Sequence, residues 1–289
     1  MSYSLRSYLF VFFILSSLHG SNGLASACCT SAAAFGAGRL LMWETFAVGL
    51  QSAYAHTLST FDRDTERWSL AKSDYQRSQL RSNLWALFAL SEKTSLFFIV
   101  PWSFETIRLP GDETRSLALD DVRVGFRHQL VDIGAHEFFP ALALLASIAI
   151  PGDSQKTNWG VTFGTSLEKN WTPWYLQLNA ETTLFFPSNS FSDADAFQTS
   201  LVTGVEVTKN VVLSLMGRFN LTGHTYYDGE RLDDAPHSRE TSVAFSASWR
   251  FNPHFTLQSS ISSGIPIPHI NYGENTELAV NLGLRYGFF

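Results

Sequence analysis

Cysteine is nearly absent from this sequence, and charged residues are scarce. The two cysteines are the neighbours Cys28 and Cys29, so no framework of disulfides can be built. Charged residues make up 16% of the chain, below the share of about a quarter that is usual in soluble domains. The formal net charge of −6 argues against nucleic-acid binding, because nucleic acid selects basic surfaces. No apolar run after residue 27 reaches the length of about eighteen residues that a transmembrane helix needs.

Residues 1–27 have the features of an export signal. A positively charged start precedes the apolar run from Tyr8 to Leu18, which has the length of a signal h-region. Ala25 to Ala27 then fits a cleavage site of the A-x-A type. We therefore expect cleavage after residue 27, followed by a periplasmic lead-in over residues 28–42.

Three interpretations are open for the cysteine pair. Cys28 could carry a lipid, although Ala25 stands where lipoprotein signals usually carry Leu. The two thiolates could together bind a soft metal, copper(I) or zinc. The third interpretation is a small, flexible N-terminus without a special role. We favour the third and assign no function to Cys28 and Cys29.

The stretch from Glu277 to Phe289 alternates apolar residues with small or polar ones. Side chains of a strand alternate between its two faces, so this pattern predicts a strand with one apolar face. Segments of the same period, bounded by turn residues, recur along residues 43–289. We predict strands at 43–57, 73–90, 96–107, 119–131, 139–150, 159–167, 174–186, 196–208, 211–224, 241–251, 254–263 and 277–289.

The connections between these predicted strands alternate between long and short. Outer-membrane barrels have long outer loops, short periplasmic turns and usually an even number of strands. The sequence therefore predicts an all-β fold, a transmembrane antiparallel up-and-down β-barrel of about 12 strands, in the outer membrane of a Gram-negative bacterium. Residues 108–118 are predicted to be one of the long loops. Pro101 is predicted to cause a bulge or a local kink in the third strand.

The polar face of the strands is predicted to line a wet lumen, because the apolar face of a membrane barrel meets lipid. Two roles are open for the charges on this polar face. Rings of charge select solutes in channels, whereas a narrow barrel can also fill its interior with charges that pair with one another. The predicted lumen-lining residues are Arg81, Asp121, Arg123, Arg127, Glu181, Arg218, Arg250 and Arg285.

Two consecutive predicted strands, Leu119 to Val131 and Phe139 to Asp153, resemble one family of proteins. These are the outer-membrane barrels labelled MetA-pathway of phenol degradation, or simply putative transporters. Their shared pattern is a strand with an early Asp and a central Gly, then an apolar strand ending in Pro-Thr-Gly, of which the Thr is absent here. The resemblance implies uptake of small, often hydrophobic compounds across the outer membrane. The matching residues are Asp121, Gly125, Pro151 and Gly152.

From these features we expect a channel or uptake pore for small molecules, hydrophobic ones included. The alternative is a scaffold or adhesin barrel that transports nothing and works through its long loops. An outer-membrane enzyme ranks behind both. The expected partners are outer-membrane lipid, a small-molecule solute and the outer-membrane assembly machinery, and no nucleic acid.

No arrangement of residues in the sequence is typical of an enzyme. A barrel phospholipase carries His and Ser two residues apart on one strand, but His128, His224 and His254 are not followed by Ser at that spacing. The eight histidines show no metal-ligand spacing. The acidic stretch from Tyr226 to Ser238 matches no calcium loop. We therefore expect no catalysis, no metal and no cofactor.

Overall fold

The fold comes from a computed structural model. The structure describes residues 44–62, 67–70, 76–109, 112–132, 139–152, 159–186, 191–192, 194–224, 226–227, 230–231, 238–265, 267 and 276–288. The predictions for the export signal, the lead-in and the cysteine pair concern residues outside these ranges and stay predictions. Most of the acidic stretch from Tyr226 to Ser238 also lies outside the described residues.

Twelve antiparallel strands close into a barrel, which confirms the predicted fold class and strand number. The sheet holds fourteen strands in all, because the short strands Arg67–Leu70 and Asp112–Leu119 add to the twelve. In the part of the chain that the structure describes, no helix is long and apolar enough to cross a membrane. The barrel strands are β1 (Phe46–Asp62), β2 (Gln76–Ala89), β3 (Thr94–Leu109), β4 (Val122–Val131), β5 (Ala141–Ile150), β6 (Trp159–Trp171), β7 (Trp174–Phe186), β8 (Ala196–Thr208), β9 (Val211–Thr222), β10 (Ser238–Arg250), β11 (Phe255–Gly264) and β12 (Thr276–Phe288).

The first and last strands close the barrel. Their register runs from the pair Phe46 and Phe288 to the pair Thr57 and Glu277. All other neighbouring barrel strands are consecutive in the sequence. A slip of one residue would turn every side chain of a strand to the opposite face. The register therefore fixes which side chains point outward and which point into the lumen.

The outer face of the barrel is apolar, as the alternation predicted. A closed barrel satisfies its backbone hydrogen bonds internally, which is the condition for crossing lipid with strands. An apolar outer belt on such a barrel is the surface that lipid covers. From β1 to β12, every strand exposes at least one large apolar side chain, in order Leu50, Leu80, Phe104, Phe126, Leu144, Phe163, Leu176, Leu201, Leu215, Phe245, Ile261 and Leu282.

Aromatic side chains form a girdle at the end of the barrel where β1 begins and β12 ends. The ring of Phe46 packs between Phe88 and Phe288, with centroid distances of 4.4 and 5.1 Å. Trp249 and Phe251 pack against each other at 4.2 Å near the same end. Membrane barrels carry girdles of aromatic residues at both interfaces, so this girdle marks one boundary of the membrane-spanning belt.

The predicted long loop at residues 108–118 was wrong. The third strand continues into this segment, and Asp112–Leu119 pairs back onto β3 as the second arm of a hairpin. Glu113 on the returning arm accepts hydrogen bonds from Arg108 and Arg115. The charged run that is typical of a loop in sequence is stabilised here by ion pairs across and along the hairpin.

A bulge at Pro101 is absent from the pairing of β3 with β2, whereas the local kink predicted as its alternative stays a prediction. β2 and β3 pair along their common length without any shift of register. The interruption lies on the other edge of β3, which pairs with β4 up to Ile99 and with the hairpin arm from Trp102 onward. Proline has no N–H to donate, so the break coincides with the residue that cannot complete the ladder. The carbonyl of Pro101 accepts a hydrogen bond from the N–H of Asp120 at 3.0 Å.

Candidate functional site in the barrel lumen

A polar cavity of about 310 Å³ lies inside the barrel, lined by β1, β2 and β9 to β12. It reaches Gly264 and Thr276, the end of β11 and the start of β12, so it occupies the half of the lumen that lies away from the aromatic girdle. We call this cavity the vestibule. Its charged and amide lining includes Arg81, Arg218, Glu240, Glu277, Asn220 and Asn281.

The charges of the vestibule balance one another. The Nη2 of Arg81 lies 3.5 Å from the Oε2 of Glu277 on the strand beyond β1. Arg218 interacts electrostatically with Glu240 on the next strand and with Glu181 on β7. Two guanidinium groups therefore face two carboxylates across the cavity walls, and this lining presents no excess of either sign.

A narrower cavity of about 20 Å³ lies beside the vestibule, nearer the aromatic girdle. The two cavities share Gln51, Ser260 and Asn281 as lining residues. The narrower one is also lined by Gln258 and Gly283, and we call it the neck. A cavity of this size holds about one water molecule. A solute that passes from the vestibule through the neck therefore needs the amide side chains around it to move.

Part of the lumen beside the neck is filled by apolar side chains. Trp85 lies over Gly49 on the neighbouring strand, where any Cβ would overlap the indole ring. We call this group the apolar plug. The plug departs from the predicted polar lumen, although the alternation of β2 and β3 assigns these positions to the inner face. The plug consists of Ala47, Trp85, Leu87, Phe97 and Ile99, all buried, with Leu145 packed against it.

The wall formed by β6, β7 and β8 carries a buried network of amides and hydroxyls. The Nε2 of Gln177 donates to the Oδ1 of Asn179 at 2.9 Å and to the Oγ of Ser166 at 3.1 Å. The Nδ2 of Asn179 donates to the Oγ of Ser200 at 3.2 Å. All four side chains are buried. Because buried polar groups need partners, this network serves the packing of that wall rather than an open path.

The structure places some of the predicted lumen residues close together and others apart. Glu181 interacts electrostatically with Arg123 and with Arg218, so these three side chains form one group across the barrel. Arg127 points inward from β4, opposite Leu145 on β5. Asp121 lies just before β4 and is half-buried. Arg81 and Arg218 are the members of the predicted set that line the vestibule.

The remaining two predicted residues lie at the end of the barrel with the aromatic girdle. Arg285 forms an ion pair with Glu44, the residue two positions before β1, and their side chains are only 3% and 1% exposed. Arg250 ends β10 and interacts electrostatically with Glu206 on β8. Glu44 carries no signal in the strand pattern, because it precedes the first strand. Only the register of β1 and β12 brings it to Arg285.

Two histidines among the described residues make local polar contacts. The Nδ1 of His128 lies 2.9 Å from the Oγ1 of Thr94, and the Nδ1 of His254 lies 2.8 Å from the carbonyl oxygen of Gly287. Among the residues that the structure describes, no three His, Cys, Asp or Glu side chains come together as a metal site. The described side chains of the lumen form no arrangement that is typical of an enzyme active site.

Comparison with solved structures shows that the chain has the fold of outer-membrane barrels. It is similar to an outer membrane channel from Pseudomonas putida, with a TM-score of 0.69 and 12% identity over 86% of this chain and 97% of the other. It is also similar to the translocator domain of the autotransporter NalP from Neisseria meningitidis, with a TM-score of 0.51 and 11% identity over 98% and 95% of the two chains. No protein-family profile and no curated protein matches the sequence. The shared fold and the exposed apolar belt make the chain an outer-membrane β-barrel.

Proposed function

We propose that this barrel is a passive channel that admits small polar solutes through the outer membrane of a Gram-negative bacterium. The observation that carries the proposal is the continuity of the vestibule and the neck, which share Gln51, Ser260 and Asn281. Pockets for small ligands measure about 300–1,000 Å³, and the vestibule is of that size. Long loops of such barrels face outward and the chain termini face the periplasm, so the vestibule lies in the outer half of the barrel.

The lining of this path indicates the class of solute. Guanidinium, carboxylate, amide and hydroxyl groups surround the vestibule, and each loses hydrogen bonds to water when an apolar molecule displaces that water. Hydrated ions and small hydroxylated or amide solutes replace those bonds. The uptake of hydrophobic compounds, which the family resemblance implies, stays a prediction for this chain.

Three further assignments belong to this proposal. One is the specific family of barrels labelled MetA-pathway of phenol degradation, which rests on the motif around Asp121 and Gly125 and on Pro151-Gly152. Another is recognition by the outer-membrane assembly machinery. The third is the role of all eight predicted lumen residues in solute selection. The similar barrel from Pseudomonas putida is an outer membrane channel, which supports the general function.

The proposal is tested with purified, refolded protein in planar lipid bilayers. A channel whose neck holds about one water molecule gives small, discrete conductance steps in concentrated salt. Swelling of protein-loaded liposomes in solutes of increasing size then measures the cut-off, which we expect near the smallest sugars or below. Folded protein that shows neither conductance steps nor swelling would refute the channel.

The apolar plug favours one rival function. Side chains such as Trp85 and Phe97 fill lumen that an open pore leaves to water. A barrel closed in this way would be a scaffold or an adhesin that works through its outer loops. The same bilayer recordings separate the two functions, because the rival gives folded protein that does not conduct.

A further inference from the structure

The outer face of β1, β2, β3 and the hairpin arm carries an apolar row near the outer end of the barrel. Strand registers place one outward residue from each of these four strands side by side. All four are exposed on the outer face, by 41% to 74%. Adjacent strands lie about 4.8 Å apart, so the row covers roughly the width of one lipid molecule with several acyl chains. The row consists of Tyr54, Leu80, Phe104 and Leu117.

The next outward row on the same four strands is polar and basic. On each strand the outward side chain changes from apolar to polar between one outward position and the next. A groove of about 270 Å³ lies on this outer face and spans both rows, with Tyr54 and Phe104 on the apolar side and Arg108 and Arg115 on the basic side. We call this second row the basic row, and it consists of His56, Ser78, Thr106 and Arg115.

The groove holds more positive than negative charge. Glu113 accepts hydrogen bonds from the Nε of Arg108 at 3.1 Å and from the Nε of Arg115 at 2.7 Å. One carboxylate thus serves two guanidinium groups, whose side chains are 61% and 65% exposed. The hydrogen bond from Arg115 lowers the pKa of Glu113, so the carboxylate is charged at neutral pH and the group keeps one net positive charge. Each guanidinium has five N–H donors, most of which remain available to an anion.

The height of the groove matches the headgroups of the outer leaflet. Tyr54 lies eight residues beyond Phe46, whose ring belongs to the aromatic girdle at the other end. Eight residues span roughly 26 Å along a strand, or roughly 20 Å across the membrane at a strand tilt of about 40°. The apolar belt of such barrels is about 25 Å tall. The basic row therefore lies just above the hydrocarbon, where lipid phosphates are found.

We propose that this groove binds one phosphorylated glycolipid of the outer leaflet, with the phosphate on Arg108 and Arg115 and the acyl chains on the apolar row. Guanidinium groups form charge-assisted, often bidentate hydrogen bonds with phosphate. A lipid places its phosphate at the height of the basic row and its chains at the height of the apolar row, which a free anion cannot do. The occupant is thus a lipid of the membrane and not a soluble phosphate.

The test is native mass spectrometry of the intact, detergent-purified barrel titrated with lipid A, the phosphorylated anchor of outer-leaflet glycolipid. We expect one tightly held lipid A per barrel. The double variant Arg108→Gln/Arg115→Gln should weaken this binding by about tenfold or more. Thr106→Glu adds a carboxylate to the row that contains Arg115 and keeps both arginines, and it should weaken binding to a similar degree.

Controls separate the groove from general lipid binding. Arg239→Gln removes an exposed arginine of β10 that lies outside the groove, and this variant should bind lipid A like the wild type. Dephosphorylated lipid A should bind about tenfold more weakly than lipid A to the wild type. Binding that the double variant and Thr106→Glu leave unchanged would overturn the proposal, and so would equal affinity for the dephosphorylated lipid. Displacement of lipid A by equimolar inorganic phosphate would show a site for free anions instead.

Discussion

The neck is the narrowest part of the described path, and Gly283 offers a way to close it. A Cβ built on Gly283 lies 3.6 Å from the Oε1 of Gln258 and 3.7 Å from the Cγ of Gln51. These are ordinary contact distances, so the Cβ itself fits. In Gly283→Val the two further methyl groups have to occupy the neck, whose volume is about 20 Å³. That volume holds about one water molecule, and a methyl group is of similar size.

We therefore expect single-channel conductance in planar bilayers to fall at least roughly tenfold in Gly283→Val, because the water path is blocked at its narrowest point. Gly283→Ala adds one methyl-sized atom and should give an intermediate conductance. Folding should not suffer, since β-branched residues suit strands better than glycine does. Heat-modifiable migration on a gel checks that each variant is a folded barrel.

Gly217 provides the matched control. It lies on β9 facing outward, and a Cβ there meets no atom within 4 Å. Gly217→Val makes the same chemical change on the lipid side and should conduct like the wild type. Wild-type conductance in a folded Gly283→Val variant would refute the assignment of the neck as the path. Equal loss of conductance in both variants would show that the glycines matter for the barrel and not for the pore.

Three other variants test the interior. Glu44→Gln leaves the buried guanidinium of Arg285 without its carboxylate and should cost about 3–5 kcal/mol of unfolding free energy in lipid vesicles; an unchanged urea midpoint would contradict this. Trp85→Ala should lower the unfolding free energy by about 3 kcal/mol and raise conductance by removing the largest side chain of the plug, whereas unchanged conductance would place the plug outside the path. Replacing both Arg123 and Arg127 with Gln removes positive charge, including a guanidinium that interacts with Glu181, and should shift reversal potentials from anions toward cations with heat-modifiability intact. Loss of the folded band with unchanged ion preference would assign the two arginines a structural role.

The sequence predicted the barrel because strand periodicity carries most of the information about it. Alternation in a segment such as Glu277 to Phe289 fixes two faces, and a membrane barrel has only lipid and lumen to receive them. Counting these alternating segments along the sequence predicts twelve strands, an even number as barrels of this kind usually have. The outward positions of Phe104, Phe245 and Leu282 were predictable from parity alone.

Contacts across the lumen were not predictable in the same way. They depend on the stagger between strands, which single-strand periodicity does not contain. Glu44 meets Arg285 and Trp85 covers Gly49 only because of the observed registers. The hairpin at Asp112–Leu119 was missed for another reason. Its charged residues are typical of loops, but ion pairs with Glu113 let the sheet continue beyond the membrane.

The way the charges of the lumen combine decides how the proposed channel selects its solutes. Arg81 and Glu277 are 3.5 Å apart, and Arg218 interacts with Glu240, so each guanidinium of the vestibule is offset by a nearby carboxylate. A field that cancels locally cannot concentrate ions of one sign, in contrast to rings of like charge. Discrimination then rests on size at the neck and on hydrogen bonding in the vestibule. A solute that covers one of these groups without giving it a hydrogen-bond partner loses about 1–3 kcal/mol, so the lining rejects apolar molecules of the same size more strongly than it separates anions from cations.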